Sequence, residues 1–225
     1  MYKILGCYTS GLRPLLLTGY DNISHELVCA MAERWHQESS SFHPPVGEMT
    51  ITLDDVVCLL GILVAGRLIR EDDLDIDHGV ELMVTHLLFS VEDAVEQVSN
   101  NSGVFATYSA LKECYEHLLN RCNHLLGGDL SKEEEEELSR IRPACVKAFL
   151  LLLLGYTLFA GKNNKTINLL WMLAIWHLAE IGTWSWCGMG LAFLYEQLNL
   201  TFSPHVGSIG GYMSLLVVIY FFLLC

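Results

Sequence analysis

Two apolar stretches in the second half of the chain limit what it can fold into. Residues 148–160 (AFLLLLLGYTLFA) carry no charged side chain, and residues 167–181 (INLLWMLAIWHLAEI) contain His177 and Glu180. Both are shorter than the roughly 20 apolar residues that a membrane-spanning helix needs. We therefore expect two buried core helices.

A third apolar run ends the chain. Residues 206–225 contain no charge, and residues 215–225 are continuously apolar. A stretch of this length could form a C-terminal membrane anchor. However, it has no basic flank, and Gly207, Gly210 and Gly211 crowd its first part. We expect a core helix here and keep the anchor as the alternative.

The N-terminal part shows helical and strand patterns in turn. Leu27, Met31 and Trp35 recur at helical spacing, which predicts a helix over residues 27–35. Three residues could cap its start: Asp21, Asn22 and Ser24. Residues 48–53 alternate and are rich in β-branched side chains, which predicts a short strand.

A capped helix follows that strand. Thr52 or Asp54 can cap a helix that ends at Gly61. Further on, residues 72–79 form an acidic loop, and helices are predicted at about 80–98, 104–126 and 186–198. Ser131 and Glu134 form a capping box for another helix. The predicted fold class is mainly α: a single helical domain with a small β-hairpin-like element near residues 40–53.

Charge and cysteine usage exclude several classes of protein. With 13 basic against 26 acidic residues, the net charge is −13, which argues against a protein that coats nucleic acid. The eight cysteines are scattered, form no CxxC motif and lie mostly in apolar stretches, which is typical of reduced thiols. The N-terminus is too weakly apolar for a signal peptide, so we expect a reducing, intracellular compartment.

The candidate metal sites are weak. Asp73, Asp75 and Asp77 resemble the start of a calcium loop, but the glycine and glutamate that such a loop requires are missing, which favours a solvated acidic loop. A second set has unusual spacing for zinc and is better explained by core thiols and surface imidazoles. It consists of Cys114, His117, Cys122 and His124. We expect no metal and no cofactor.

Catalytic motifs are also weak. Cys29 could pair with His36 or His43 as nucleophile and base, which would make the chain a Cys/His-dependent hydrolase. No GxSxG, HExxH, Walker A or GxGxxG motif occurs. Trp184 and Trp186 could line a pocket, although core packing is the default for such residues.

Several motifs together identify a family. Residues 33–35 (ERW), 41–56 (SFHPPVGEMTITLDDV) and 59–61 (LLG) resemble the plant mobile domain of the MAIN-like proteins, which are often labelled "aminotransferase-like". Later segments resemble the family in the same order, at residues 153–160, 186–198 and 209–211. The chain departs from the family pattern at His36 and Gln37 and in an apolar tail at 217–225. We therefore expect a plant mobile domain over residues 1–216, truncated at its C-terminus.

The resemblance implies a regulatory role without catalysis. Family members are nuclear proteins linked to meristem maintenance, transposon silencing and genome stability, and some act with a plant serine/threonine phosphatase-like partner. It implies a protein partner, no catalytic residue and a nuclear location, with membrane association through the C-terminal run as the alternative. A transposon-derived passenger copy with no host function is the other reading.

The matched block near the N-terminus supplies the candidate docking residues. They are Arg34, Trp35, Phe42, Glu48 and Asp55. We expect them to form a platform that binds a protein partner. The competing interpretation is that the same residues only fold the N-terminal half.

Overall fold

The structure is a computed structural model that describes residues 11–17, 25–45, 47–70, 74–100, 103–128, 130–163, 165–200 and 209–217. These residues form a mainly α-helical fold, which confirms the predicted class. The helices are α1 (His25–Ala32), α2 (Leu53–Leu60), α3 (Ile76–Leu87), α4 (Val91–Asn100), α5 (Tyr108–Leu125), α6 (Lys132–Tyr156), α7 (Met172–Ile175) and α8 (Trp186–Asn199). Short 3-10 helices cover Arg13–Leu16, Leu169–Trp171 and Leu178–Thr183, and residues 213–217 are also helical.

The β structure of the described residues consists of two small antiparallel pairs. In the first, β1 (Trp35–His36) pairs with β2 (Ser41–Phe42), so that Trp35 lies opposite Phe42. In the second, β3 (Phe105–Thr107) pairs with β4 (Thr166–Asn168). The second pair joins segments about 60 residues apart, a pairing that local sequence patterns do not reveal.

Contacts divide the chain into two compact units. Unit 1 comprises Ile69–Leu154 and Lys165–Gly182, and unit 2 comprises the described parts of Gly11–Leu68, Gly155–Asn164 and Thr183–Cys225. Each unit is therefore built from segments that are distant in sequence. The single domain expected over residues 1–216 stays a prediction.

Helix α6 supplies much of the core of unit 1. It begins with the predicted capping box, in which the Ser131 amide donates to Glu134 Oε2 at 2.9 Å and the Glu134 amide donates to Ser131 Oγ at 3.3 Å. The apolar run from residue 148 was predicted to form a separate helix. It instead forms the second half of α6, which ends at Tyr156. Pro143 lies inside α6, where it removes one helical hydrogen bond. Burial of the following apolar face offsets that loss, since Leu150, Leu151 and Leu154 are fully buried.

Other predicted bounds in unit 1 were wrong. The helix expected over residues 80–98 is two helices, because Leu88 adopts a left-handed conformation (φ 59°) and Ser90 then caps α4. Part of the expected acidic loop is helical, since Asp75 caps α3 by accepting from the His78 amide at 2.8 Å. Asp72 and Asp73 lie outside the described residues.

The second predicted core helix is also different in form. Instead of a helix over residues 167–181, the chain forms β4, a 3-10 turn and the short helix α7. Pairing with β3 and a bond from the Leu170 amide to the Asn168 side chain at 2.9 Å hold this irregular path. The expected burial is confirmed, because Leu169–Ile175 are all buried.

Two elements predicted for the N-terminal part differ in the structure of unit 2. The helix expected over residues 27–35 ends at Ala32, and Trp35 instead begins β1. The strand expected over residues 48–53 is reduced to a bridge between Met49 and Phe42. The last residues of that predicted strand, Thr52 and Leu53, instead form the N-cap and the first residue of α2. The candidate caps of α1 at Asp21, Asn22 and Ser24 lie outside the described residues.

Helix α2 has the predicted ends. Thr52 and Asp55 form a capping box, and Gly61 terminates the helix in the left-handed conformation (φ 60°) that favours glycine. Of the residues described in the C-terminal run, 213–217 are helical, and 218–225 lie outside the described part. None of the described helices is both long and apolar enough to cross a membrane.

Unit 1 also buries a lysine. The ammonium of Lys147, a residue only 8% exposed, lies 3.0 Å from His86 Nδ1. Burial, followed by the charge of Lys147 and by His177, lowers the pKa of His86 to about 4. Burial also lowers the pKa of Lys147. His86 therefore stays neutral and accepts the hydrogen bond from the ammonium.

We expect acid to destabilise the protein through His86. The folded pKa of about 4 lies below the ordinary 6.5, so between these values the unfolded state binds the proton more readily and stability falls as pH decreases. The loss is about 1–2 kcal/mol, less than the full shift implies because His86 is partly exposed. Urea unfolding from pH 7 to 4.5 measures it. His86→Gln keeps an acceptor for Lys147 but should lose this component, and parallel curves for the two proteins would contradict the prediction.

We expect Thr52→Ala to destabilise the protein by about 1 kcal/mol, because the Asp55 amide loses its cap at the start of α2. The free energy of unfolding from a denaturant titration measures the effect. Asp54→Asn is the matched control, since it changes the same helical turn without touching the box. Equal effects of the two substitutions would show that the box contributes nothing.

Candidate protein-docking site

The five predicted docking residues all belong to unit 2 but have different environments. Arg34 and Glu48 are exposed. Trp35 is 0% exposed and Phe42 is 5% exposed. Asp55 is partly buried and belongs to the capping box of α2. The set therefore separates into surface residues and residues that hold the surface in place.

Trp35 forms the centre of the aromatic core beneath the hairpin. Its ring centroid lies 4.8 Å from that of Phe42 and 4.9 Å from that of Tyr195, with the rings inclined in both pairs. Such inclined arrangements are favoured by the quadrupoles of aromatic rings. The indole Nε1 donates to Asn199 Oδ1 at 2.8 Å, which satisfies the polar atom of this buried side chain. The hairpin is thereby fixed to α8.

Tyr195 extends this core to the segment before α2. Its hydroxyl donates to the Ile51 carbonyl at 2.5 Å and lies 2.7 Å from the Thr50 hydroxyl. The backbone of Phe42 also exchanges two hydrogen bonds with Met49, at 2.7 and 3.0 Å. The hairpin, the segment at residues 49–52 and α8 therefore form one supported platform.

A polar cluster lies along the outer edge of this platform. The His36 and His43 rings stack with centroids 3.9 Å apart. Ser41 Oγ donates to Glu48 Oε1 at 2.7 Å and lies 3.1 Å from His43 Nε2, while His43 Nε2 is 3.7 Å from Glu48 Oε1. His43 and Glu48 side chains remain 41% and 61% exposed. The cluster thus presents an imidazole and a carboxylate in fixed positions.

The direction of these bonds bears on catalysis. A serine hydroxyl has one hydrogen, and Ser41 gives it to Glu48. Ser41 therefore accepts from His43 in this arrangement, whereas a nucleophilic serine must donate to its base. The cluster is suited to positioning side chains.

Arg34 lies at the junction of α1 and the hairpin. Its Nη1 donates to the Ala30 carbonyl at 2.9 Å, a C-terminal cap that satisfies one of the last carbonyls of the helix. Its own carbonyl accepts from the His43 amide at 2.8 Å. The backbone of Arg34 is thus fixed, while its guanidinium remains at the surface.

The other candidate sites have structural explanations. Of the four residues considered as zinc ligands, Cys122 is buried, His117 and His124 are exposed, and the Cys114 thiol donates to the Leu87 carbonyl. Nowhere in the described ranges are three or more His, Cys, Asp or Glu side chains placed to hold a metal ion. Cys29 is partly buried on α1. The His43 ring stacks on His36 and contacts Ser39, Ser41 and Glu48, and the Cys29 hydrolase alternative stays a prediction.

The two tryptophans considered as pocket residues, for which core packing was the default, have different environments. Trp186 is fully buried, and the guanidinium of Arg67 stacks on the ring of Trp184 at 4.3 Å. The segment around Arg67 lies directly against the start of α8. A Cβ on Gly66 would approach the Thr183 carbonyl oxygen to 2.5 Å, so this close approach requires glycine.

We expect Trp35→Phe to destabilise the protein by about 2 kcal/mol or more, because it removes buried contact area and leaves Asn199 without its donor. Asn199→Ala should cost about 1 kcal/mol. The double variant should lose less than the sum, with a coupling of about 1 kcal/mol measured by chemical unfolding of all four proteins. Strict additivity would contradict the role given to this bond.

Comparison with known proteins places the chain among relatives. The family model of the plant mobile domain matches residues 15–223. Protein MAINTENANCE OF MERISTEMS of Arabidopsis thaliana is 30% identical over 203 residues, which is 89% of this chain and 37% of the relative. Protein MAIN-LIKE 2 of the same plant is 29% identical over 203 residues, or 87% of this chain and 26% of the relative.

A more distant relative carries a different name. The Serine/threonine-protein phosphatase 7 long form homolog of Arabidopsis thaliana is 25% identical over 206 residues, or 92% of this chain but 14% of the relative. The chain thus spans only a minor part of the length of each of these relatives. No solved structure matches. The family model covers nearly the whole chain, and on this ground the chain belongs to the plant mobile domain family.

Proposed function

We propose that this protein is a non-catalytic nuclear adaptor that acts through protein–protein contacts. One relative, which matches 89% of this chain, is named for meristem maintenance, and this supports a role in that process. Links to transposable-element silencing and genome stability rest on the family resemblance. The observation that carries the proposal is the exposed polar edge of unit 2, which is held on a buried aromatic platform.

The contact residues in this proposal are Arg34 and Glu48, with His43 between them in sequence. Backbone hydrogen bonds fix Arg34 and His43, and the Ser41 hydroxyl holds the Glu48 side chain, so little conformational entropy is lost when a partner binds. Trp35, Phe42 and Asp55 belong to the same site as positioning residues. They are buried or engaged in capping, and they set the shape of the surface that the partner meets.

The partner in this proposal is a serine/threonine phosphatase-like protein. One relative is named for such a phosphatase and shares a matching segment over 14% of its length, which supports a working association between the two kinds of domain. An exposed arginine and an exposed carboxylate favour a polar contact that provides specificity.

Surface variants test the proposal. Glu48→Gln removes the charge but keeps an acceptor for Ser41, and Arg34→Gln removes the guanidinium. We expect each to weaken capture of a phosphatase-like protein from plant nuclear extract by about fivefold or more, because an interface charge loses its counterpart. Quantitative mass spectrometry of the captured protein measures this effect, with thermal unfolding recorded in parallel.

Glu33→Gln is the matched control, because Glu33 is an exposed acid beside Arg34 and outside the cluster. It should capture the partner as the unaltered protein does. Unfolding of Arg34→Gln or Glu48→Gln would support the competing view that these residues only fold unit 2. Full capture by both stable variants would remove this surface from the proposal.

A further inference from the structure

A cavity opens on unit 1 between the turn that joins α3 to α4 and the side of α5. Its volume is about 390 Å³, within the range of roughly 300–1,000 Å³ that small-molecule sites occupy. Leu87 and Leu118, which are almost fully buried, contribute apolar lining. Two exposed lining residues carry carboxylates, Asp93 on α4 and Glu113 on α5.

Hydrogen bonds hold the walls of this cavity in place. Ser90 caps α4 by accepting from the Asp93 amide at 3.0 Å, and its hydroxyl donates to Asp93 Oδ2 at 2.7 Å. Gln97 Oε1 accepts from the amide and the hydroxyl of Thr107, at 3.0 and 2.9 Å, directly before α5 begins. These bonds connect α4 to the start of α5. The cavity is therefore formed before any ligand arrives.

The cysteine in the cavity is not reactive. The Cys114 thiol donates to the Leu87 carbonyl at 3.2 Å, and burial raises the pKa of this thiol to about 12. A thiol in that state is a poor nucleophile and a poor metal ligand. The wall near Cys114 thus acts as an apolar surface, and the chemistry of the cavity depends on its carboxylates.

The lining has a clear charge preference. It contains two carboxylates, from Asp93 and Glu113, and one imidazole, from His117, but no lysine or arginine. The whole chain carries a net charge of −13, which attracts basic segments. A ligand complementary to this cavity combines an apolar stem with a cationic end. Arginine fits that description, because its stem packs on apolar surface and its guanidinium has five donors that can reach carboxylates on two helices.

We propose that this cavity binds an arginine side chain of a basic partner segment. The apolar lining at Leu87 and Leu118 takes the stem, and Asp93 and Glu113 take the guanidinium. The site lies in unit 1 and uses none of the residues of the docking surface described for unit 2. This proposal can therefore be tested separately from the proposed adaptor function, and failure of one does not contradict the other.

A pair of peptides differing only in charge tests this site. The probes are the N-acetylated dipeptide amides Leu-Arg and Leu-citrulline, since citrulline keeps the shape of arginine without its charge. We expect nitrogen-15 NMR titration of the full chain to shift the amides of Gln97, Ala110 and Glu113 with the arginine peptide. The affinity of the citrulline peptide should be lower by about fivefold or more, as expected for loss of a charge-assisted hydrogen bond.

Variants locate the binding site. Glu113→Gln should weaken the arginine peptide about threefold to tenfold, the range expected when a partly exposed ion pair is removed. The matched control is Glu116→Gln on the same helix, which lies outside the cavity lining and makes only an exposed 3.9 Å contact with Lys112. Glu116→Gln should bind as the unaltered chain does. Asp93 is not substituted, because its carboxylate also accepts a hydrogen bond from Ser90, the residue that caps α4.

Three results would overturn the proposal. The first is equal binding of the two peptides, which would indicate a purely apolar cavity. The second is the absence of any amide shift at millimolar peptide. The third is an equal effect of Glu113→Gln and Glu116→Gln, which would indicate non-specific attraction to an acidic surface. Unchanged spectra of the variants without peptide establish that each is folded.

Discussion

The hydrogen bond between the Trp35 indole and Asn199 is the interaction on which unit 2 depends. The N–H of a completely buried tryptophan loses its hydrogen bond to water. Unless a protein acceptor replaces that bond, the burial is energetically unfavourable. Asn199, the last residue of α8, provides that acceptor at 2.8 Å. The surrounding rings of Phe42 and Tyr195 then join the hairpin and the segment before α2 to the same helix.

This arrangement explains why a motif so specific for the family reveals more about folding than about activity. Of the residues in the ERW and SFH segments, Trp35, Ser41 and Phe42 are buried. Their identity is set by packing and by internal hydrogen bonds. The residues available to a partner are fewer, and they take their positions from the buried ones. Substitution of Trp35 would therefore disturb the packing of unit 2 and the shape of its surface together, whereas Glu48 can be changed alone.

The two units offer different kinds of surface. Unit 2 presents an arginine, an imidazole and a carboxylate as exposed side chains at or near the hairpin. Unit 1 presents a cavity with an apolar lining and two acids. The first is suited to the rim of a protein interface, and the second to a single inserted side chain.

Elements specified within a few residues could be predicted from the sequence. The Ser131–Glu134 capping box is one example, and the cap at Thr52, one of two predicted candidates, is another, because a short side chain need only reach a nearby amide. The end of α2 at Gly61 is a third, because glycine readily adopts the left-handed conformation found there. The burial of the apolar runs was equally evident. Ser90 and Asp93 have the same three-residue spacing as these caps. Recognising them as a helix start would have divided the helix predicted over residues 80–98 into two.

Tertiary structure decided the features that join distant segments. Trp35 has helical spacing with Met31, yet it forms a strand because Phe42, Tyr195 and Asn199 enclose it there. Residues 167–175 are apolar enough for a helix, yet they begin with a strand because β3 supplies its hydrogen bonds. The cavity beside Cys114 also combines three separate helical segments. Composition and spacing determined which residues are buried and where local caps form, whereas the partners of buried polar atoms and strand edges were fixed only when distant parts of the chain came together.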